Sequence, residues 1–208
     1  MSSPKHFPIL TSITVGLTAI VTATRLLGDG PLDALRRDPG ALGHGQLWRL
    51  LSPVLVQSDA GLLNVVLVLV LCAVIGAIAE QLLTRRRWLA LYLVGALVGH
   101  AIGDVFQPLE GGTSVAFVGI LGGLAAYSLV GGVPQLQRFR LQAAVAIPLA
   151  VLDTVLGDIH GLPYLAGLAL ATAWLVRDGS AQPLRLVFAR PRRGHDGPSA
   201  RIQKLPGI

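Results

Sequence analysis

Ser114, His160 and Asn64 are the residues of this 208-residue chain whose types and settings suit chemistry. Ser114 lies in Gly111-Gly112-Thr113-Ser114-Val115, where a polar loop from Gln107 to Thr113 gives way to an apolar run. A hydroxyl at such a junction has two readings. It caps the coming helix by accepting a first-turn N–H, or it is a nucleophile. The position suits the second role because first-turn N–H groups lack helical partners and point outward. There they can stabilise an oxyanion forming beside the same serine. A histidine such as His160 supplies the base for the serine proton, and an amide such as Asn64 adds an oxyanion donor. Each has a plainer reading: His160 as an interfacial residue at a helix start, Asn64 as a hydrogen bond between helices. Spacing alone leaves these alternatives open.

The elements that would carry these residues are apolar. The chain is 52% hydrophobic and 13% charged, against about 25% charged in soluble domains, so it reads as a membrane protein. Spanning helices need roughly 20 mostly apolar residues. Candidate spans cover about 7–27, 61–83, 88–105, 114–130, 141–156 and 160–176. This predicts an all-α, polytopic protein with residues 1–6 ahead of a six-helix domain over 7–176, and a basic, disordered tail over 177–208. Lys5, His6 and Val21-Thr22-Ala23 give the first span some likeness to a cleavable signal. Its apolar run is long for one, and its threonines suit a helix packed in a bundle. An external loop at about 28–60 is long enough to be functional, with Pro31 to Arg37 a short helix starting at proline. Trp88 and Tyr92 read as interfacial anchors. Thr84 to Arg87 reads as a tight turn whose arginines pair with Glu80. Gly95, Gly99 and Gly103, and Gly119 and Gly123, recur every four residues and let helices approach closely. Pro148 kinks the fifth span, and Asp153 either bonds the backbone freed there or lines a cavity. Cys72 is the single cysteine, a small core or lipid-facing residue.

Charge placement orients the spans. With the N-terminus in the cytoplasm, thirteen of the seventeen lysines and arginines fall in cytoplasmic segments, and only Arg25, Arg36, Arg37 and Arg49 fall outside. The positive-inside rule then predicts six spans with both termini cytoplasmic. It also accounts for the net charge of +6 through attraction to anionic lipid, with no nucleic-acid partner. Asn64, Ser114 and His160 come to the outer ends of three helices. His100, Asp104, Asp153 and Asp158 lie in or near the outer half. Ionisable groups within spans usually face the bundle interior, so this grouping predicts an aqueous cavity open to the outside.

Several segments in order resemble the rhomboid intramembrane serine proteases, over roughly residues 45–175. Gln46-Leu47-Trp48-Arg49 is similar to the Trp-Arg motif of their first external loop. Asn64 falls at the oxyanion asparagine of the second helix, and Gly76-Ala77-Ile78-Ala79-Glu80 resembles the Gly-x-x-x-Glu at that helix's far end. Gly112-Thr113-Ser114-Val115 resembles the nucleophile motif, with Gly119 one turn further on. His160 to Ala171, including Gly167, resembles the sixth-helix motif that packs against the nucleophile helix.

The resemblance implies the rhomboid fold and a Ser114–His160 dyad cleaving transmembrane segments of membrane proteins. The Ser114 backbone N–H and Asn64 would form the oxyanion hole. No metal or cofactor is implied, and the family's dyad needs no aspartate, so Asp153 and Asp158 are not assigned. It also implies a bacterial-type plasma membrane, with the site opening to the outside. Three positions depart from the family pattern. Val115 replaces a common glycine after the nucleophile, where a β-branched side chain stiffens the turn and narrows the oxyanion pocket. Ala60 replaces a histidine one turn before the asparagine, which implies one lost oxyanion donor; such a loss costs about 10²–10³ in rate. Pro163 replaces a glycine, tolerated in a first helical turn. Val115 and Ala60 favour the alternative of a catalytically silent rhomboid-like protein that binds transmembrane segments without cutting them.

Overall fold

Six apolar runs of 15 to 22 residues form the long helices of the described chain. The structure is a computed structural model that describes residues 7–24, 28, 30–57 and 61–182. In order come α1 (Ile9–Ala23), α2 (Gly30–Leu35), α3 (Pro39–Gly43), 3₁₀ turns at Leu47–Leu50 and Ser52–Leu55, and α4 (Leu62–Leu82). Then follow α5 (Arg85–Phe106), α6 (Ser114–Leu129), a 3₁₀ segment Pro134–Phe139, α7 (Arg140–Val155) and α8 (Gly161–Arg177). No strand occurs among the described residues. Helices α4 and α5 are each long and apolar enough to cross a membrane. Helix α6 and the run to Val155 meet that test together across a 106° bend, and α1 and α8 are shorter apolar helices. Leu63, Leu67, Val70, Leu71 and Val74 of α4 are exposed, a row that suits lipid and not water.

Helix α6 is the axis of the bundle, with twelve of its 16 residues buried. Its neighbours reach it through missing side chains. A Cβ on Gly95 would sit 2.9 Å from the Gly119 Cα, and one on Gly167 would collide with the Gly119 carbonyl. One on Gly122 would collide with the Tyr164 carbonyl. Without an apolar driving force between lipid-bathed helices, such close backbone packing is what holds them together. The four-residue glycine pattern thus works as expected at Gly95 and Gly119. Gly103 differs, because the space it leaves holds the Arg37 guanidinium, 2.6 Å from where a Cβ would stand.

Three expectations change. Trp88 and Tyr92 are buried, not interfacial. Their rings stack at 5.2 Å, Phe117 meets Tyr92 edge-on at 5.4 Å, and the Trp88 indole donates to the Gly76 carbonyl at 3.1 Å. Gly76 opens that space, since a Cβ there would lie 2.7 Å from Phe117. Arg85 to Arg87 are the first turn of α5, not a loop, with Thr84 accepting the Arg87 N–H. Glu80 turns to α1: its carboxylate accepts the N–H groups of Leu10 (3.0 Å) and Thr11 (2.9 Å) and the Thr11 hydroxyl. An anion at a helix start satisfies orphan donors and complements the dipole. Arg87 instead binds Asp178 and the Tyr127 hydroxyl and lies over the Trp174 ring.

The threonines of α1 face the bundle, as their spread predicts. Thr18 donates to the Val54 carbonyl and Thr22 accepts the Gln57 N–H. Cys72 is buried, and Pro148 sits inside a continuous α7. Residues 1–6, Ala60 and residues 183–208 lie outside the described chain.

Candidate active site

The external loop is held by its own polar side chains. The buried Arg49 guanidinium donates to the Asp33 and Arg36 carbonyls at 2.9 and 2.7 Å and to Gln46 Oε1 at 2.7 Å. The Trp48 indole donates to the Ala34 carbonyl, and Ser52 to the Leu35 carbonyl. These bonds fasten α2 to the 3₁₀ turns. A second arginine ties the loop to the bundle. Arg37 is fully buried, donates from Nε to the Gln107 carbonyl (3.0 Å), and lies 3.2 Å from His100 Nδ1. Burial pushes its guanidinium below the ordinary value, and Asp104 and Glu110 act in the opposite sense.

The loop then sets the segment that carries Ser114. The Gly112 N–H donates to the Pro53 carbonyl at 3.1 Å, and Gly111 packs against Val56 with no room for a Cβ. A Cβ on Gly112 would lie 3.3 Å from Ser114 Oγ, so this glycine keeps space beside the hydroxyl. Thr113 occupies the N-cap position of α6, yet its side chain makes no capping bond. The first helical turn begins with Ala116 N–H to the Thr113 carbonyl, 3.1 Å. The N–H groups of Ser114 and Val115 have no acceptor among the described residues. Neither hydroxyl at this junction is a cap.

Ser114 Oγ lies 2.9 Å from His160 Nε2. The histidine is placed by how α7 ends. Gly157 adopts φ +80°, its N–H reaches the Thr154 carbonyl, and the Asp158 N–H reaches the Asp153 carbonyl at 2.8 Å. This pair of bonds is the Schellman pattern, which needs a left-handed residue that glycine adopts freely. The turn leads through buried Ile159 to His160, the N-cap residue of α8. Gly161 then presses on α7 where a Cβ would strike the Ala150 carbonyl and Thr154. With α8 also fixed on α6 through Gly167 and Gly122, the separation of Ser114 and His160 is set by backbone packing.

Asp158 completes the group, which sequence reasoning left without a role. Its Oδ1 accepts from His160 Nδ1 at 2.9 Å and from the His160 backbone N–H at 2.8 Å. An acceptor at Nδ1 places the ring proton there and leaves the Nε2 lone pair toward the serine. The available signal was an aspartate two residues before the histidine, the spacing at which a carboxylate accepts an i+2 N–H.

The described chain is similar to known proteins in these same segments. The family profile described as Rhomboid domain matches residues 44–175, more than half of the chain. The chain belongs to the rhomboid family. It is also 35% identical over 88 residues to Rhomboid-like protease 3 of Toxoplasma gondii, a match that covers 41% of this chain and 33% of that protein. The chain therefore aligns with about a third of the length of that relative. With its apolar helices, this rhomboid is an integral membrane protein.

The departures from the family pattern have different outcomes. The Val115 side chain is fully buried against Gly99, where a Cβ would stand 2.5 Å from the valine Cβ. It points into α5, and the bare face of Gly99 accommodates it. Pro163 is buried at the same contact, in the first turn of α8. Ala60 lies outside the described residues. Asn64 is the third residue of α4, half-buried, and not hydrogen-bonded to Ser114 or His160. His100 is buried on α5 and bonded to Arg37, apart from the Ser114–His160 pair. An apolar cavity of about 290 Å³ lies between α4, α6 and α7 around Ile75, Ser128 and Phe139. It is toward the opposite end of α6 from Ser114.

Proposed function

We propose that this rhomboid is an intramembrane serine endopeptidase that cleaves transmembrane segments of other membrane proteins. One observation carries the reading: a hydroxyl 2.9 Å from an imidazole nitrogen, at a helix start whose first N–H groups have no acceptor among the described residues. Ser114 Oγ attacks the scissile carbonyl carbon while His160 Nε2 takes its proton. The tetrahedral oxyanion is held by the Ser114 N–H and, once substrate is bound, by the Asn64 amide. His160 returns the proton to the leaving amine, and the acyl-enzyme forms. Water then attacks the ester with His160 again as base, releasing the acid product and the serine.

The orientation proposed from the charges is six spans with both termini cytoplasmic, and the membrane proposed from the resemblance is a bacterial-type plasma membrane. The site then opens outward, where water for deacylation is at hand. The silent alternative drew on Val115, but a side chain turned into α5 leaves the face of Ser114 toward His160 free, which favours the enzyme. The test is cleavage of a designed transmembrane substrate in proteoliposomes. Wild-type protein is expected to cut it and His160→Ala to lose activity by about 10⁵-fold or more. Equal product from both would overturn the proposal.

A further inference from the structure

We propose that Asp158 is a positioning residue of the site, holding His160 in the tautomer and orientation that let it deprotonate Ser114. The inference rests on the protease reading above and extends its pair to a line of three. A single oxygen, Asp158 Oδ1, accepts both from the His160 ring at Nδ1 (2.9 Å) and from the His160 backbone N–H (2.8 Å). The backbone bond pins the carboxylate to the turn. The ring bond pins the imidazole to the carboxylate, and only Nε2 then remains to face Ser114 Oγ, at 2.9 Å. Rotating the ring by half a turn would break two of these contacts at once.

A plainer role for an acid here is to satisfy a turn N–H and complement the start of α8. That role needs the backbone bond alone and gives no reason for the ring to meet the same oxygen. Nor does another group take the place of Asp158. Asp153, the nearest acid in the chain, meets this turn through its backbone carbonyl, and no other described residue bonds His160 Nδ1. Gly157, through its left-handed turn, is what brings the carboxylate round to the ring.

During reaction the Nδ1 proton stays on the ring. Nε2 gains the serine proton, and the resulting imidazolium lies against the carboxylate, which accepts a hydrogen bond and not the proton. The side chains of His160 and Asp158 are 38% and 46% exposed. Water screens the pair, so the effect is smaller than in a buried triad.

The experiment compares the full chain with Asp158→Asn and Asp158→Ala in proteoliposomes, reading kcat and KM on the designed substrate, fluorophosphonate labelling rate and melting temperature. Asparagine keeps an oxygen for the turn N–H but not the negative charge that holds the proton on Nδ1 and faces the imidazolium, so Asp158→Asn is expected to melt as wild type does and to lose rate. Its kcat is expected to fall about 10- to 100-fold, scaled down from buried triads for exposure, with KM unchanged and labelling slowed equally. Wild-type kcat in Asp158→Asn, or a loss confined to KM, would overturn the inference. Should Asp158→Ala fail to fold, the asparagine variant carries the comparison. A wild-type protein that takes no label removes the protease reading itself, whereas a labelled wild type matched by Asp158→Asn removes this inference alone.

Discussion

Two helix starts in this molecule meet the same physical problem and answer it differently. At the start of α1, the N–H groups of Leu10 and Thr11 go to the carboxylate of Glu80, seventy residues away. At the start of α6, the N–H groups of Ser114 and Val115 go to no described residue, and the hydroxyls of Thr113 and Ser114 leave them alone. Thr113 is fully buried and its Oγ1 has no partner among the described residues. Orphan donors at a buried helix end are costly unless something meets them. The α1 start is satisfied within the fold, whereas the α6 start leaves its donors open, and under the proposed function they meet the oxyanion.

Four substitutions break or sharpen this contrast, taken from the largest effect down. His160→Ala disarms the α6 start without touching its packing. Fluorophosphonate labelling is expected to fall by about 10⁵–10⁶ while the melting temperature holds. Glu80→Ala strips the α1 start of its acceptor and is expected to cost about 1–3 kcal/mol of stability in denaturant titration, with labelling per folded molecule unchanged. Gly157→Ala forces a side chain into a left-handed turn at a cost of about 1–2 kcal/mol, and the displaced His160 should slow labelling as well. Thr113→Val is the smallest. A capping threonine loses about 0.5–2 kcal/mol when truncated, whereas here, with no capping bond to lose, stability should be unchanged or raised.

Much of this was legible in the sequence because it depends on local runs. The long helices lie close to the expected spans, and the start of α6 falls on Ser114. The resemblance put Ser114 and His160 in one site, and the structure brings them within hydrogen-bond distance. What could not be read depends on contacts between segments far apart in the chain. The direction of Val115 is decided by Gly99 on another helix. Trp88 and Tyr92 are buried because Gly76 of α4 leaves room. Glu80 follows the packing of α1 on α4, not its nearness to three arginines. Asp158 was within sight, two residues before His160, but its role depends on a ring orientation that spacing does not specify.

The proposed function makes Ser114 a working nucleophile at an uncapped helix start. The direct measurement is labelling of the wild-type protein in membranes by a fluorophosphonate, with the adduct located by mass spectrometry. One adduct is expected, on Ser114, absent from Ser114→Ala. Equal labelling of the two proteins, or none in the wild type, would contradict it.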